Sequence, residues 1–206
     1  GQLRHLLPLL RQTIPVFDKL GDPLPLIPLE DPQPMSTSQQ AEYLMDLMNF
    51  TGNKTRTIEP LLAAILQGLP LVIQHAPPDL ETRTAFLQGL LTLLPSSTRF
   101  GVSFATNAGA DGSLAAQVYF MDSAAPDGAL VYDWATQQNS GAEPKDEYSR
   151  FILAQLRLDA EVAVRQIEEL TPVAGWRFKA GETLTEALAY ASYRSRLDKA
   201  LLSNLP

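Results

Sequence analysis

The chain has 206 residues, of which 45% are apolar, and a formal net charge of −7, so it is long enough to form one domain with a sizeable core. It contains no cysteine and only two histidines, which excludes disulfides, thiolate nucleophiles, iron–sulfur clusters and multi-histidine metal sites. Basic residues form no cluster, which disfavours binding to nucleic acid, and no apolar run approaches the roughly 20 residues that span a bilayer. We therefore expect a soluble, cytoplasmic protein that is not inserted in a membrane and holds no metal or cofactor.

Residues 1–56 are predicted to form an N-terminal helical and proline-rich extension. The first 20 residues carry apolar side chains interrupted by prolines, which predicts short helices, and residues 22–34 are predicted to pack in extended form. Ser36 begins a run of capping residues for a helix that ends near Phe50. Because the chain starts with glycine, we expect it to be excised from a longer protein.

Residues 57–106 predict a helix, a strand, a second helix and a second strand in that order. Thr57 is expected to cap the first helix, and the apolar run 71–73 is typical of a strand buried on both faces. Asp79 is expected to cap the second helix, after which residues 100–106 alternate as a strand does. Because a helical crossover returns the chain in the same direction, the two strands are expected to lie parallel in one sheet.

The carboxyl ends of these two predicted strands carry polar side chains. Gln74 and His75 end the first strand, and Thr106 and Asn107 end the second. Open parallel sheets bind ligands in the crevice outside such ends. We therefore predict a ligand-binding site at these four residues and assign none of them to catalysis.

Two catalytic arrangements around this edge remain as alternatives. A hydroxyl of Ser103 or Thr106 could be activated by His75, with Asp111 or Asp133 orienting the imidazole. The chain lacks the G-x-S-x-G elbow, so the preferred interpretation is a polar strand end that bonds the adjacent loop.

The second arrangement uses carboxylates. Asp122, Asp127 and Asp133 could serve in acid–base chemistry or bind a divalent cation. Their position around a predicted turn is also what turn propensity alone produces, and that is the preferred interpretation.

The last part of the chain predicts two more strands and a helical layer. Strands over 116–121 and 129–134 are expected to pair as an antiparallel meander, followed by a loop over 135–145. The segment 146–206 predicts a helical layer: one long helix to about residue 170, a break at Pro172 with Trp176 packed beneath the connection, and a last helix opened by a capping box at Thr183 and Glu186.

The predicted fold class is therefore α/β, or α+β, in one domain over residues 1–206. It combines a mixed sheet, containing a parallel strand–helix–strand unit and an antiparallel meander, with flanking N-terminal and C-terminal helices.

Three segments carry a resemblance to a known family: IEPLLAAILQGLPLVI at 58–73, LLTLLP at 90–95 and VSFAT at 102–106. With this pattern, residues 57–106 resemble the middle module of bacterial GTPase-associated multidomain proteins. The helix–strand–helix order is also distantly similar to the core of DENN-type modules, which engage small GTPases. The resemblance implies an interaction or regulatory module without enzymatic activity, and no catalytic residue carries over from it.

The implied partner is a protein: a GTPase or another domain of the same polypeptide. The alternative function is a small-molecule-binding domain or a hydrolase that uses the crevice at the strand ends.

Overall fold

The computed structural model describes residues 35–106 and 116–203, which form six α-helices, a short 3-10 turn and a five-stranded mixed sheet, so the predicted mixed α/β fold is confirmed. The expectations for residues 1–34, and that for Asp111, lie outside the described residues. The helices are Thr37–Phe50 (α1), Thr55–Leu66 (α2), Leu80–Thr92 (α3), Glu147–Leu158 (α4), Ala160–Lys179 (α5) and Leu184–Ser203 (α6). The strands are Leu71–Gln74 (β1), Phe104–Ala105 (β2), Val118–Phe120 (β3), Leu130–Asp133 (β4) and Gln138–Gly141 (β5), and the 3-10 turn is Arg99–Gly101.

The strand order is β2-β3-β1-β4-β5, with β1 at the centre of the sheet. Strands β1 and β2 are parallel members of one sheet, as predicted, but β3 lies between them. The predicted meander of residues 116–121 and 129–134 is wrong, because β3 and β4 each pair in parallel with β1 on its two sides. The turn residues between β3 and β4 therefore belong to a connection that crosses β1. Its nine residues can extend about 30 Å, which is enough to run from the carboxyl edge of the sheet back to its amino edge.

The antiparallel pair of the sheet is the hairpin of β4 and β5, so the prediction of a loop throughout 135–145 is wrong. Asp133 accepts a hydrogen bond from the backbone N–H of Thr136 at 3.0 Å, and Gln137 has a φ of 55°, which closes the turn. The polar sequence of β5 lacks the apolar alternation that announces a strand.

Three predicted helix caps are confirmed and one is wrong. Ser36 forms a capping box with Gln39, Asp79 accepts from the N–H of Thr82 at 2.7 Å, and Thr183 forms reciprocal hydrogen bonds with Glu186. Helix α2 begins before the predicted cap, so Thr57 is a buried residue inside its first turn. Of the strand predicted over 100–106, only β2 forms, since the 3-10 turn occupies its start.

The C-terminal layer breaks and continues at positions other than those predicted. The long helix predicted from residue 146 is two helices, because Asp159 is extended and its carboxylate accepts from the N–H groups of Glu161 and Val162 to cap α5. Helix α5 then continues through Pro172 to its end. Trp176 is not packed beneath a connection but is 69% exposed.

One face of the sheet packs on the helices and forms the main core. Alternate residues of the three central strands point into it, and Phe86 of α3 lies over them. The other face carries Val72 and Gln74 of β1, and the Gln74 side chain donates to the carbonyl of Ser123 at 3.0 Å, which places the β3–β4 connection on that face. Among the described residues, no helix has the length and apolar character needed to cross a membrane. The core-facing strand residues are Leu71, Ile73, Val118, Phe120, Leu130 and Tyr132.

Candidate functional site

The carboxyl ends of four parallel strands lie at one edge of the sheet, and two neighbouring strands there send their connections to opposite faces. The chain leaves β1 through α3, whose Phe86 ring lies 6.2 Å from the Phe120 ring on the core face. The chain leaves β3 across the opposite face, where Ser123 accepts from Gln74. Such a reversal between adjacent strands opens a crevice at the strand ends, which is where open α/β sheets bind ligands.

His75 stands at the centre of this edge in a left-handed conformation, with a φ of 54°. Its backbone N–H donates to Oδ1 of Asp122, the second residue beyond the end of β3, at 2.7 Å. Positive φ is uncommon for residues other than glycine, and the carboxylate bond holds His75 in that conformation. The consequence is that β1 turns sharply and the imidazole remains at the surface rather than continuing the strand.

The imidazole pairs with the last residue of β4. His75 Nδ1 lies 3.1 Å from Oδ2 of Asp133, with side chains that are 56% and 27% exposed. The backbone N–H of Thr136, and secondarily His75, lower the pKa of the Asp133 carboxyl below its ordinary value. In the tautomer that donates Nδ1–H to Asp133, Nε2 is the hydrogen-bond acceptor of the ring. Chemically, this atom can accept a hydrogen bond or a proton from a hydroxyl group or from water.

Arg83 of α3 connects the ends of two strands that do not touch each other. Its Nη1 donates to the carbonyl of Thr106 at 2.6 Å and its Nε donates to the carbonyl of Pro77 at 2.7 Å. The guanidinium carbon also lies 5.6 Å from the centre of the Phe120 ring. Arg83 therefore fixes the edge from β1 to β2 and brings a positive charge to it.

The structure brings Gln74, His75 and Thr106 to one edge, while Asn107 lies outside the described residues. Thr106 contributes its carbonyl to the hydrogen bonds at this edge, whereas the less favoured catalytic alternative used its hydroxyl. Arg83 was missed, because a lone arginine on a helix carries no signal until the strand order is known.

The candidate nucleophile Ser103 is on the wrong side of the sheet. Its Oγ accepts from the N–H of Gln117 at 3.0 Å, before β2 and β3 begin, so it lies at the amino edge, opposite His75. The carboxylates form no metal centre, since no group of three or more His, Asp or Glu side chains in residues 35–106 and 116–203 is placed to hold an ion. The arrangement as it stands offers a base and hydrogen-bond donors, with Ser103 too remote to serve as nucleophile.

The fold and its edge define a mixed α/β domain with polar side chains at the carboxyl ends of its parallel strands. No protein-family model, curated protein or solved structure matches the chain.

Proposed function

We propose that the protein is an interaction module without enzymatic activity, whose last helix, α6, receives an amphipathic helix of a partner protein. The observation that carries the proposal is that α6 is apolar on two opposite faces. Its inner face buries Ala187, Leu188 and Ala191 against the other helices. Its outer face exposes a row of apolar and aromatic side chains, which we name the α6 stripe. The stripe consists of Tyr190 (40% exposed), Tyr193 (59%), Leu197 (42%) and Leu201 (59%).

The spacing within the α6 stripe favours a helix as the occupant. Successive members are three, four and four residues apart, which places them in one narrow row along the helix. A helix that is apolar on both sides normally packs on both sides, and a narrow apolar row fits the apolar face of another helix. The guanidinium carbon of Arg177 in α5 lies 3.9 Å from the centre of the Tyr190 ring, so the start of the stripe contacts the neighbouring helix.

Charge beside the stripe is balanced, which favours recognition by apolar contact. Arg194 pairs with Asp198 at 2.9 Å and Lys199 pairs with Glu169 at 2.9 Å. Paired charges of both signs leave no single-sign field to select an acidic or basic partner. A small GTPase, or another domain of the same polypeptide, is the partner class that the resemblance of residues 57–106 implies.

The substitution Leu197→Glu tests this function. We expect it to weaken partner binding about tenfold or more, because a charge would be buried at the centre of the contact, while the fold is retained because Leu197 is already partly exposed. The matched control is Leu158→Glu, which makes the same change at a leucine that is 76% exposed at the end of α4. The measurement is photocrosslinking from p-benzoylphenylalanine at position 193, in cells of the native host, with and without each substitution.

Support requires crosslinks that map to one helix of a defined partner and disappear with Leu197→Glu but not with Leu158→Glu. Crosslinks to a second copy of the chain would make the module a homodimer and would reject a separate partner. Equal crosslinking in the two variants would reject the α6 stripe as the contact.

A second candidate function is binding of a small molecule at the strand ends, favoured by His75, whose Nδ1 contacts Asp133 and whose Nε2 has no hydrogen-bond partner among the residues that the structure describes. We expect a ligand from a panel of nucleotides and metabolites to raise the melting temperature by about 5 °C or more at a concentration of about 100 Kd. His75→Ala should abolish the shift. Thr106→Ala should weaken it as well, since Thr106 belongs to the predicted site, and the control is Ser103→Ala at the opposite, amino edge of the sheet. A panel without any shift, or a shift that persists in His75→Ala, counts against this candidate.

A further inference from the structure

A groove of about 540 Å³ lies beside β5, the edge strand at the opposite side of the sheet from β2. Its walls are the first turn of α2, the exposed edge of β5, and the segment 142–145 that leads to α4. The floor includes Leu130 of β4, so the groove reaches down to the sheet itself. It is separate from the His75 edge and from the α6 stripe.

The backbone of β5 offers unused hydrogen-bonding groups to this groove. Ala142 donates to the carbonyl of Ala129 at 3.1 Å, and the register pairs Ser140 with Val131. Because antiparallel pairing alternates, the residues at 138 and 140 direct their N–H and C=O groups to β4, and Asn139 and Gly141 direct theirs outward. No described residue pairs with these outward groups, and an open strand edge of this kind is a template for an added strand.

The side chain of Asn139 adds a further unmet acceptor beside the edge. Its Nδ2 donates to the carbonyl of Thr57 at 2.8 Å, which anchors β5 to α2. Its Oδ1 is buried and has no hydrogen-bond partner in the described part of the chain. Buried acceptors in native proteins are normally satisfied, and a donor in the groove reaches this oxygen only if the Asn139 side chain turns outward.

The charges around the groove favour an acidic occupant. Lys54, Arg56 and Lys145 are exposed and form no ion pair with any residue that the structure describes. The groove also contains two carboxylates: Glu143, and Glu59, which lies 3.9 Å from both Arg150 and Arg157, so the three cations outnumber the acidic groups. Helix α2 also begins without a side-chain cap or an acidic residue in its first turn, so its positive end adds to the same field. The chain as a whole carries a net charge of −7, which makes this local excess of positive charge distinctive.

We propose that the groove binds an extended acidic peptide, which adds to β5 as a sixth strand. The peptide backbone bonds to Asn139 and Gly141, and about five residues of it cover the length of β5. Its carboxylates contact Lys54, Arg56 and Lys145 on the groove walls. This site differs from the α6 stripe in location and in the form of the ligand, so the two proposals stand or fall separately.

The test uses the full chain and a displayed library of random dodecapeptides, followed by binding measurements on the enriched sequences as synthetic peptides. We expect the enriched peptides to be acidic and the double substitution Lys54→Glu with Lys145→Glu to weaken their binding about tenfold or more. The control Lys179→Glu, at the end of α5 and outside the groove, should leave affinity unchanged. Methylating alternate backbone nitrogens of the peptide should abolish binding in one of the two methylation patterns, since only one edge of the peptide joins the sheet.

Amide hydrogen exchange identifies the contact. Peptide should slow exchange at Asn139 and Gly141, while Gln138 and Ser140, which already face β4, change little. The proposal is overturned if no peptide is enriched, if enriched peptides are neutral or basic, or if protection falls elsewhere. It is also overturned if the two outward amides are protected without peptide in a concentration-dependent dimer.

Discussion

Replacing Phe86 by alanine is expected to lower the free energy of unfolding by about 3–5 kcal/mol. The Phe86 side chain is fully buried, with a relative exposure of 0%, and its ring lies at the centre of an aromatic cluster. Ring-centre distances from Phe86 are 5.1 Å to Trp134, 5.7 Å to Tyr132, 6.2 Å to Phe120 and 6.3 Å to Phe50. The substitution removes apolar contacts with two strands and one helix and leaves a cavity that those rigid elements cannot close.

Equilibrium unfolding in urea measures this effect, and Phe100→Ala is the matched control. Phe100 is 69% exposed and contacts one aromatic ring, that of Phe178, so its loss should cost less than about 1 kcal/mol. Phe86→Leu, which retains most of the buried volume, should fall between the two. A cost for Phe86→Ala no greater than that of Phe100→Ala would mean that the aromatic cluster does not hold the sheet to α3.

Phe86 also links packing to the polar edge of the sheet. It stacks on Tyr132 at an interplanar angle of 15°, and Tyr132 precedes Asp133. It contacts Phe120 edge-on, two residues before Asp122. Both carboxylates that contact His75, Asp133 at the end of β4 and Asp122 just beyond β3, therefore depend on strands that pack against one aromatic ring. The His75 edge is consequently expected to lose its geometry in Phe86→Ala even where the chain remains folded.

The features that sequence predicted correctly are those with local causes. The caps at Ser36, Asp79 and Thr183 depend on hydrogen bonds across three residues, so they are determined within one turn of chain. The helix order through residues 57–94 follows from apolar spacing and from prolines and glycines in the same way. Gln74 and His75 lie at a carboxyl edge shared by parallel strands, as predicted, because a helical crossover is enough to predict that β1 and β2 run in the same direction.

The features that sequence missed depend on contacts between distant parts of the chain. Turn residues at 126–128 predict a change of direction, but they do not distinguish a hairpin from a connection that crosses β1. The Asp122 and Asp133 contacts with His75 exist only because β3 and β4 flank β1. Strand β5 carries polar residues because it is an edge strand, and its pairing is set by the turn at Gln137. Pro172 is exposed and α5 continues through it, while the next turn packs closely on the preceding loop, where Gly175 lies close to Ser97.

Replacing Arg99 by methionine is expected to destabilise the protein by about 3 kcal/mol or more, although methionine fills much of the same volume. Arg99 is only 7% exposed, and it donates to the carbonyl of Leu94 at 2.9 Å, to Oε1 of Gln40 at 3.2 Å and to the carbonyl of Thr92 at 3.4 Å. Burial lowers the pKa of Arg99 to about 10, so the guanidinium still carries its charge at neutral pH. Its loss leaves three acceptors without this donor, and each buried unsatisfied group costs about 1–3 kcal/mol.

Arg150→Met provides the control, because Arg150 has a side chain that is 65% exposed and its contact with Glu59 is long, at 3.9 Å, so its removal should cost less than about 1 kcal/mol. The two variants are compared by urea unfolding at neutral pH. If Arg99→Met is no more destabilising than Arg150→Met, the buried guanidinium is not a structural requirement.

A double-mutant cycle decides whether Arg99 acts alone or through a network. The guanidinium lies at the carboxyl end of α3, where a positive charge is favoured, and it reaches α1 through Gln40. Gln40 in turn donates to Oε1 of Glu168 in α5 at 2.8 Å, so one chain of hydrogen bonds joins three helices. We expect Gln40→Ala and Arg99→Met to couple by about 0.5–3 kcal/mol, with the double variant less destabilised than the sum. Additive effects would instead assign the stabilisation to the bonds between Arg99 and the end of α3, because those bonds do not involve Gln40.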